Sequence, residues 1–198
     1  LSLLRGIGED GKKLYDIHHD VINTKDHGIP QSRPRWYCVC IRKDVVRRDH
    51  PYNFPSSLIP TKIDDLLDGR AEHHLQHPKR LSNLADSARH NVQKAYKRIS
   101  SSAEDQKSTC IIDCDASAQR SRYLVGISPC ITRSRNTGHW ISTRNRKMNI
   151  NEMMRLQGID PSKFTKAVSP SEMGKQIGNA MSVNVIERIL HQVFLSTT

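Results

Sequence analysis

Gln31, Arg33 and Arg35 stand at alternate positions just after Gly28-Ile29-Pro30, and the chain then runs into Trp36-Tyr37-Cys38-Val39-Cys40-Ile41. Glycine and proline fold such a stretch into a tight loop. In the strand that follows, residues two apart share a side, so both arginines are presented together. A guanidinium stays charged and offers five donors in a planar fork, which suits a phosphate or a carbonyl oxygen on a base. A surface ion pair on a hairpin would use the same residues. Two further segments far downstream favour a site: Glu152-Met153-Met154-Arg155-Leu156-Gln157-Gly158 and Gly174-Lys175-Gln176-Ile177-Gly178-Asn179-Ala180-Met181. In the second, glycine permits close backbone approach, and free N–H groups beside a helix start can meet a carboxylate. An ordinary turn before a packing helix would also read this way.

The elements that must position these residues follow from periodicity. Strands are expected over 17–23 and 36–42, and the second is apolar on both faces, as in a covered sheet. Residues 1–8 read as a helix end closing at Gly6 and Gly8. Pro51, Pro55 and Pro60 mark a loop, followed by a short helix over 62–67 closed by Gly69. Leu81, Leu84, Ala88, Val92, Ala95 and Ile99 recur at helical spacing, with Arg89, Lys94, Lys97 and Arg98 between them. A loop over 103–108 and a strand over 109–113 come next. Asn149 and Glu152 form a candidate capping box, Met148 can staple against Met153, and Gly158 supplies the stop. Val183, Ile186, Leu190, Val193 and Phe194 give a closing helix its apolar face.

Composition limits the function classes. The 198 residues suffice for one ordinary domain or two small ones, and a hydrophobic share of 36% is lean for a complete enzyme core. Thirty-one Lys and Arg against 20 acids give a net charge of +11, which implies a polyanionic partner. Between Ala116 and Lys147 stand Arg120, Arg122, Arg133, Arg135, Arg144, Arg146 and Lys147 with no acid among them. A solvated, charge-balanced face would interleave acids, so nucleic acid is the favoured partner. Arg144 and Arg146 read equally as phosphate anchors or as a solvated turn. Five cysteines leave one unpaired in any disulfide scheme, which fits an intracellular setting, the nucleus in a eukaryote. The pairs Cys38/Cys40 and Cys110/Cys114 and the cluster His73, His74 and His77 lack the second half of a ligand set. They are read as small buried cysteines and solvated histidines, with no metal. No apolar run has transmembrane length and no signal peptide is seen, so no membrane partner is expected. The start at Leu1 suggests a fragment.

In this order the segments resemble the C-terminal half of a DNA cytosine-5 methyltransferase. Gln31-x-Arg33-x-Arg35, preceded by Val21-Ile22-Asn23-Thr24-Lys25-Asp26-His27-Gly28, is similar to that family's eighth motif. Ser128-Pro129-Cys130-Ile131-Thr132 with the Glu152–Gly158 segment resembles the ninth, and Lys175-Gln176-Ile177-Gly178-Asn179-Ala180 the tenth. The resemblance covers about residues 1–43 and 125–195. The family commonly has threonine where Asn149 stands, and asparagine caps a helix equally well.

The resemblance implies an α/β fold: the C-terminal portion of a Rossmann-like, S-adenosylmethionine-dependent methyltransferase domain with a small inserted target-recognition region. Residues 1–43 would end the catalytic sheet, 44–127 would recognise the target, and 128–198 would return to the catalytic domain. It implies methyl transfer from S-adenosylmethionine to carbon 5 of a flipped cytosine, with DNA and the missing N-terminal half as partners. Arg35 would donate to the O2 edge of the cytosine, Arg33 would hold neighbouring backbone, and Gln31 would fix the loop. Asn179, Ala180 and Met181 would line the cofactor pocket, and Arg120, Arg122, Arg133 and Arg135 are candidates for DNA contact. The family's Gly-rich loop, Pro-Cys-Gln nucleophile loop and Glu-Asn-Val motif do not occur here. Pro129-Cys130 is followed by Ile131 and comes after the recognition region, so Cys130 is not read as the nucleophile. These residues alone are expected to be inactive; the alternative is a DNA-binding module descended from such an enzyme, and an RNA methyltransferase of related architecture is a third reading, which the Gln31 form of the eighth motif slightly disfavours. All of this requires the hairpin arginines and the Gly-Asn-Ala turn to border one cavity.

Overall fold

The computed structural model describes residues 8–9, 12–69 and 81–197. Of the helix end expected over 1–8, only Gly8 lies among them, opening a two-residue strand; the cluster His73, His74 and His77 lies outside them. The architecture is mixed α/β. A short pair, β1 (Gly8–Glu9) and β2 (Lys12–Lys13), precedes a nine-residue antiparallel ribbon of β3 (Tyr15–Asn23) and β4 (Pro34–Arg42). Register pairs run from Tyr15↔Arg42 to Asn23↔Pro34, which sets Arg35 opposite Ile22.

One ribbon face is buried. Ile22 and Tyr37 pack on Val185 and Ile189 of α4 (Val183–Leu195). The other carries Val21 and Trp36, 61% and 55% exposed, together with exposed Cys40. The run over 36–42 was expected to be covered on both faces; among the described residues one face is covered, because α4 packs on that side and nothing packs on the other. The same geometry corrects the cysteine reading. Cys110 and Cys114 are buried as expected, whereas Cys40 is exposed and Cys38 half-buried.

A second sheet, order β6-β5-β7-β8, comprises β5 (Cys110–Ile112), β6 (Tyr123–Val125), β7 (Trp140–Ile141) and β8 (Arg146–Lys147), all antiparallel. It thus draws strands from both sides of residue 127. Helix α1 (Asp86–Ser100) lays Ala88, Val92, Ala95 and Ile99 against Cys110, Ile112 and Trp140. The helix begins later than the leucine spacing suggests. Ala85 is extended at ψ 151°, and Leu81–Asn83 forms a separate 3-10 turn whose Leu81 enters the same core. Two elements had shared one apolar rhythm.

Helix α2 (Ile150–Leu156) starts with the expected reciprocal box: Glu152 N–H donates to Asn149 Oδ1 at 3.0 Å, and Asn149 N–H to Glu152 Oε2 at 2.7 Å. Met148 and Met153 share its core with Ile111, Ile131, Ile141 and Ile177 of α3 (Pro170–Asn179). Gly158 ends the segment at φ +74°. Arg144 and Arg146 are neither phosphate anchors nor a solvated turn. Arg144 is 8% exposed and paired with Asp64; Arg146 donates to both oxygens of fully buried Glu152 at 2.8 Å. A buried carboxylate needs such a partner, which ties β8 to α2.

Candidate functional site

Arg33 is where the three distant segments meet. It is 3% exposed, and its Nη1 donates to the Ile131 carbonyl at 2.5 Å and lies 3.3 Å from Cys130 Sγ. Its Nη2 donates to the carbonyls of Gly178 at 3.1 Å and Ala180 at 2.7 Å. The last carbonyls of a helix have no intrahelical partners and carry the negative end of its dipole. Arg33 therefore caps the C-terminus of α3 with a cation delivered from the hairpin. The hairpin and the Gly-Asn-Ala turn adjoin through this one side chain. Burial pulls the Arg33 guanidinium down from its ordinary pKa, and neighbouring Cys130 opposes that.

Gln31 holds the loop from beneath. It is fully buried; Nε2 donates to the Leu156 carbonyl at 2.6 Å, and Oε1 accepts from Ile131 N–H at 3.4 Å. Ser32 N–H to Ser128 O and Ser128 N–H to Pro30 O, both 2.8 Å, add a parallel bridge beside it. Arg35 differs from both. It is half-buried, and among the described residues its side chain bonds only to its neighbour Pro34 O at 2.8 Å and to Cys130 Sγ at 3.4 Å. Its fork is thus the uncommitted one of the pair.

The turn expected before the last helix is split between two elements. Gly178 and Asn179 belong to the final turn of α3, and Ala180–Ser182 connect to α4. Asn179 is exposed and Met181 is 54% exposed. A Cβ at Gly178 would overlap backbone atoms of Thr132 and Arg133, and one at Gly174 the Asn136 carbonyl. Helix α3 consequently rests directly on the 132–136 turn. Arg120, Arg122 and Arg133 are exposed, and none of them has an ion-pair partner among the described residues. Arg135 is instead clamped on Asp113, Nε to Oδ1 at 2.5 Å and Nη2 to Oδ2 at 3.3 Å.

Several positioning residues escaped the sequence. Gln157 is buried, donates to Ile177 O at 3.1 Å, accepts from Ser182 Oγ at 3.2 Å, and gives its own carbonyl to Val183 N–H, the first of α4. Ser182 Oγ also meets Thr24 Oγ1 at 2.7 Å. His27 is buried, with Nδ1 accepting from Arg188 at 2.6 Å. Burial and Arg188 lower its pKa. Gln157 lay inside a recognised motif, but its partners are 20 and 25 residues away, a distance that spacing does not encode.

The sequence profile described as C-5 cytosine-specific DNA methylase matches residues 4–195. The chain is 26% identical over 181 residues to the type II methyltransferase M.HhaI of Haemophilus parahaemolyticus, covering 90% of this chain and 53% of that protein. It is 27% identical over 180 residues to M.SsoII of Shigella sonnei, covering 90% and 44%. The chain thus spans about half the length of these curated relatives. The solved methyltransferase EhMeth of Entamoeba histolytica superposes with a TM-score of 0.52 at 17% identity, covering 91% of this chain and 54% of that one.

Proposed function

The chain belongs to the C-5 cytosine-specific DNA methylase family, and from that premise we propose that it forms the C-terminal portion of an enzyme methylating carbon 5 of a flipped cytosine in DNA. Residues 1–43 and the closing helices complete the catalytic domain, and 44–127 form the inserted recognition region, whose sheet continues past residue 127 into β7 and β8. The carrying observation is the Arg33 network, which draws the hairpin, the Ile131 segment and the end of α3 to one point. With Arg33 committed to the frame, Arg35 is the fork left to meet a substrate.

Carbon 5 of cytosine is a poor nucleophile until a thiolate adds to carbon 6 and makes it enamine-like. The base must leave the stack for this. Arg35 donates to the O2 edge, orienting the ring and stabilising the charge that develops in it. Gln31 and Arg33 fix the loop that presents Arg35. The thiolate comes from a Pro-Cys-Gln loop outside these 198 residues, in the N-terminal half that this chain partners. S-adenosylmethionine supplies the methyl group as an electrophile. The exposed amide of Asn179 and the Ala180 backbone offer hydrogen bonds to the polar end of this ligand, and the polarisable thioether of exposed Met181 suits its cationic sulfonium. DNA as partner places the enzyme inside the cell, in the nucleus of a eukaryote.

A second reading is a DNA-binding module without activity, for which the exposed Arg120, Arg122 and Arg133 would suffice. One experiment separates them. The longer polypeptide containing this chain is incubated with S-adenosylmethionine and a duplex carrying 5-fluorocytosine, whose fluorine blocks the final elimination. A denaturation-resistant covalent adduct is expected; DNA binding without adduct supports the inactive module. In the same polypeptide, Asn179→Ala should weaken S-adenosylmethionine binding, and an unchanged Kd removes that residue from the pocket.

A further inference from the structure

His139, the residue before β7, is wholly buried, and its Nε2 lies 3.3 Å from the Cys130 carbonyl. A carbonyl only accepts, so in the neutral ring the proton sits on Nε2. Nδ1 then has a lone pair and no proton, yet it faces Asp113 Oδ1 at 3.6 Å and has no hydrogen-bond partner among the described residues. Two acceptors confronting each other in a buried site call for a physical reason. It lies on the far side of Asp113, whose two oxygens already accept from Arg135 at 2.5 and 3.3 Å. The Arg135 and Asp113 side chains are 21% and 17% exposed, so the pair sits at the margin of the surface. The other charged neighbour of the ring is Asp115, itself held by Lys147 Nζ at 2.6 Å. Burial is the main influence keeping the ring neutral; Asp113 and Asp115 oppose it, and Arg135 reinforces it.

We propose that His139 is a positioning residue for DNA contact, taking up a proton when Arg135 leaves Asp113 for a DNA phosphate. This rests on the reading that the chain binds DNA. In the free protein Arg135 balances the charge of Asp113. A phosphate that draws Arg135 away would leave a largely buried carboxylate unpaired, which is costly. A proton from solvent on Nδ1 creates an N–H aimed at Asp113 Oδ1, while Nε2–H keeps the Cys130 carbonyl. Both ring nitrogens are then satisfied and the carboxylate is paired again. DNA binding and proton uptake become linked, so affinity rises as pH falls, by about tenfold per pH unit at most for a single proton. Cys130, whose carbonyl His139 holds, also touches Arg33 and Arg35 through its sulfur. The ring therefore joins the Arg135 surface to the hairpin site.

The test follows the His139 Cε1 proton by NMR through a pH titration of the full chain, with and without a saturating DNA duplex, in the native protein and in Arg135→Ala. Without DNA, Arg135→Ala should titrate at higher pH than the native protein, because the opposing cation is gone and Asp113 is free. DNA should raise the native titration and leave that of Arg135→Ala in place. His139→Asn should flatten the pH dependence of the DNA Kd. If DNA binds and the native titration does not move, the linkage is overturned while the DNA-binding reading stands. No DNA binding at any pH overturns both.

Discussion

Arg33 sits among carbonyl oxygens with no carboxylate paired to it among the described residues, and its stability rests on four polar contacts that tie the hairpin to two other segments. Charged hydrogen bonds of this kind each contribute roughly 1.5–3 kcal/mol, and truncation orphans the acceptors. Arg33→Ala is therefore expected to lower unfolding free energy by about 3 kcal/mol or more, read from urea melts. Arg33→Lys should recover little, since a point charge cannot span the Ile131, Gly178 and Ala180 carbonyls as a planar fork does. A cost under about 1 kcal/mol would mean that Arg33 does not hold the three segments. His27 and His139 add a pH signature. Burial lowers both pKa values in the folded protein, so their contribution is complete above the unfolded value of ~6.5 and is lost as pH falls through the folded values. Urea midpoints should drop between pH 7.5 and 5.5, and His27→Asn should reduce that drop; a flat profile would contradict the buried, neutral state.

At the level of elements, α3 carries two glycines four residues apart on the side facing the 132–136 turn, and neither has room for a Cβ. Overpacking of this sort typically costs 1–3 kcal/mol, and here backbone rather than a flexible side chain would have to yield. Gly178→Ala should destabilise the fold by roughly 2 kcal/mol or more and displace the carbonyls that Arg33 caps, seen as loss of amide protection in α3 by hydrogen exchange. Elements whose signals are local were legible in the sequence. The Asn149–Glu152 box, the hairpin strands and the final helix depend on neighbours a few residues away. The start of α1 was not legible, because Leu81 and α1 serve one core and share one periodicity despite the break at Ala85. Nor were the ion pairs of Arg144 and Arg146, whose partners include Asp64, 80 residues away, and a buried Glu152.

Across the whole molecule, a net charge of +11 resides in two kinds of cation. Arg144, Arg146 and Arg155 knit the interior to Asp64, Glu152 and Asp68, while Arg120, Arg122 and Arg133 lie exposed. Composition could not distinguish them; only burial does. Log affinity for duplex DNA should fall linearly with log salt, and each exposed arginine changed to Ala should lessen the slope by about 1 if it meets a phosphate. Unchanged slopes would remove those residues from the interface. The division of labour between Arg33 and Arg35 was an expectation from the family resemblance; which carbonyls Arg33 holds, those of Ile131, Gly178 and Ala180, needed the structure. That division gives the most direct measurement: methyl transfer and DNA Kd compared for native and Arg35→Ala forms of the longer polypeptide. Transfer should fall by about 100-fold or more, as when a preorganised donor to developing charge is removed, with Kd nearly unchanged. Equal loss of both would make Arg35 a phosphate anchor, and undiminished transfer would remove it from the chemistry altogether.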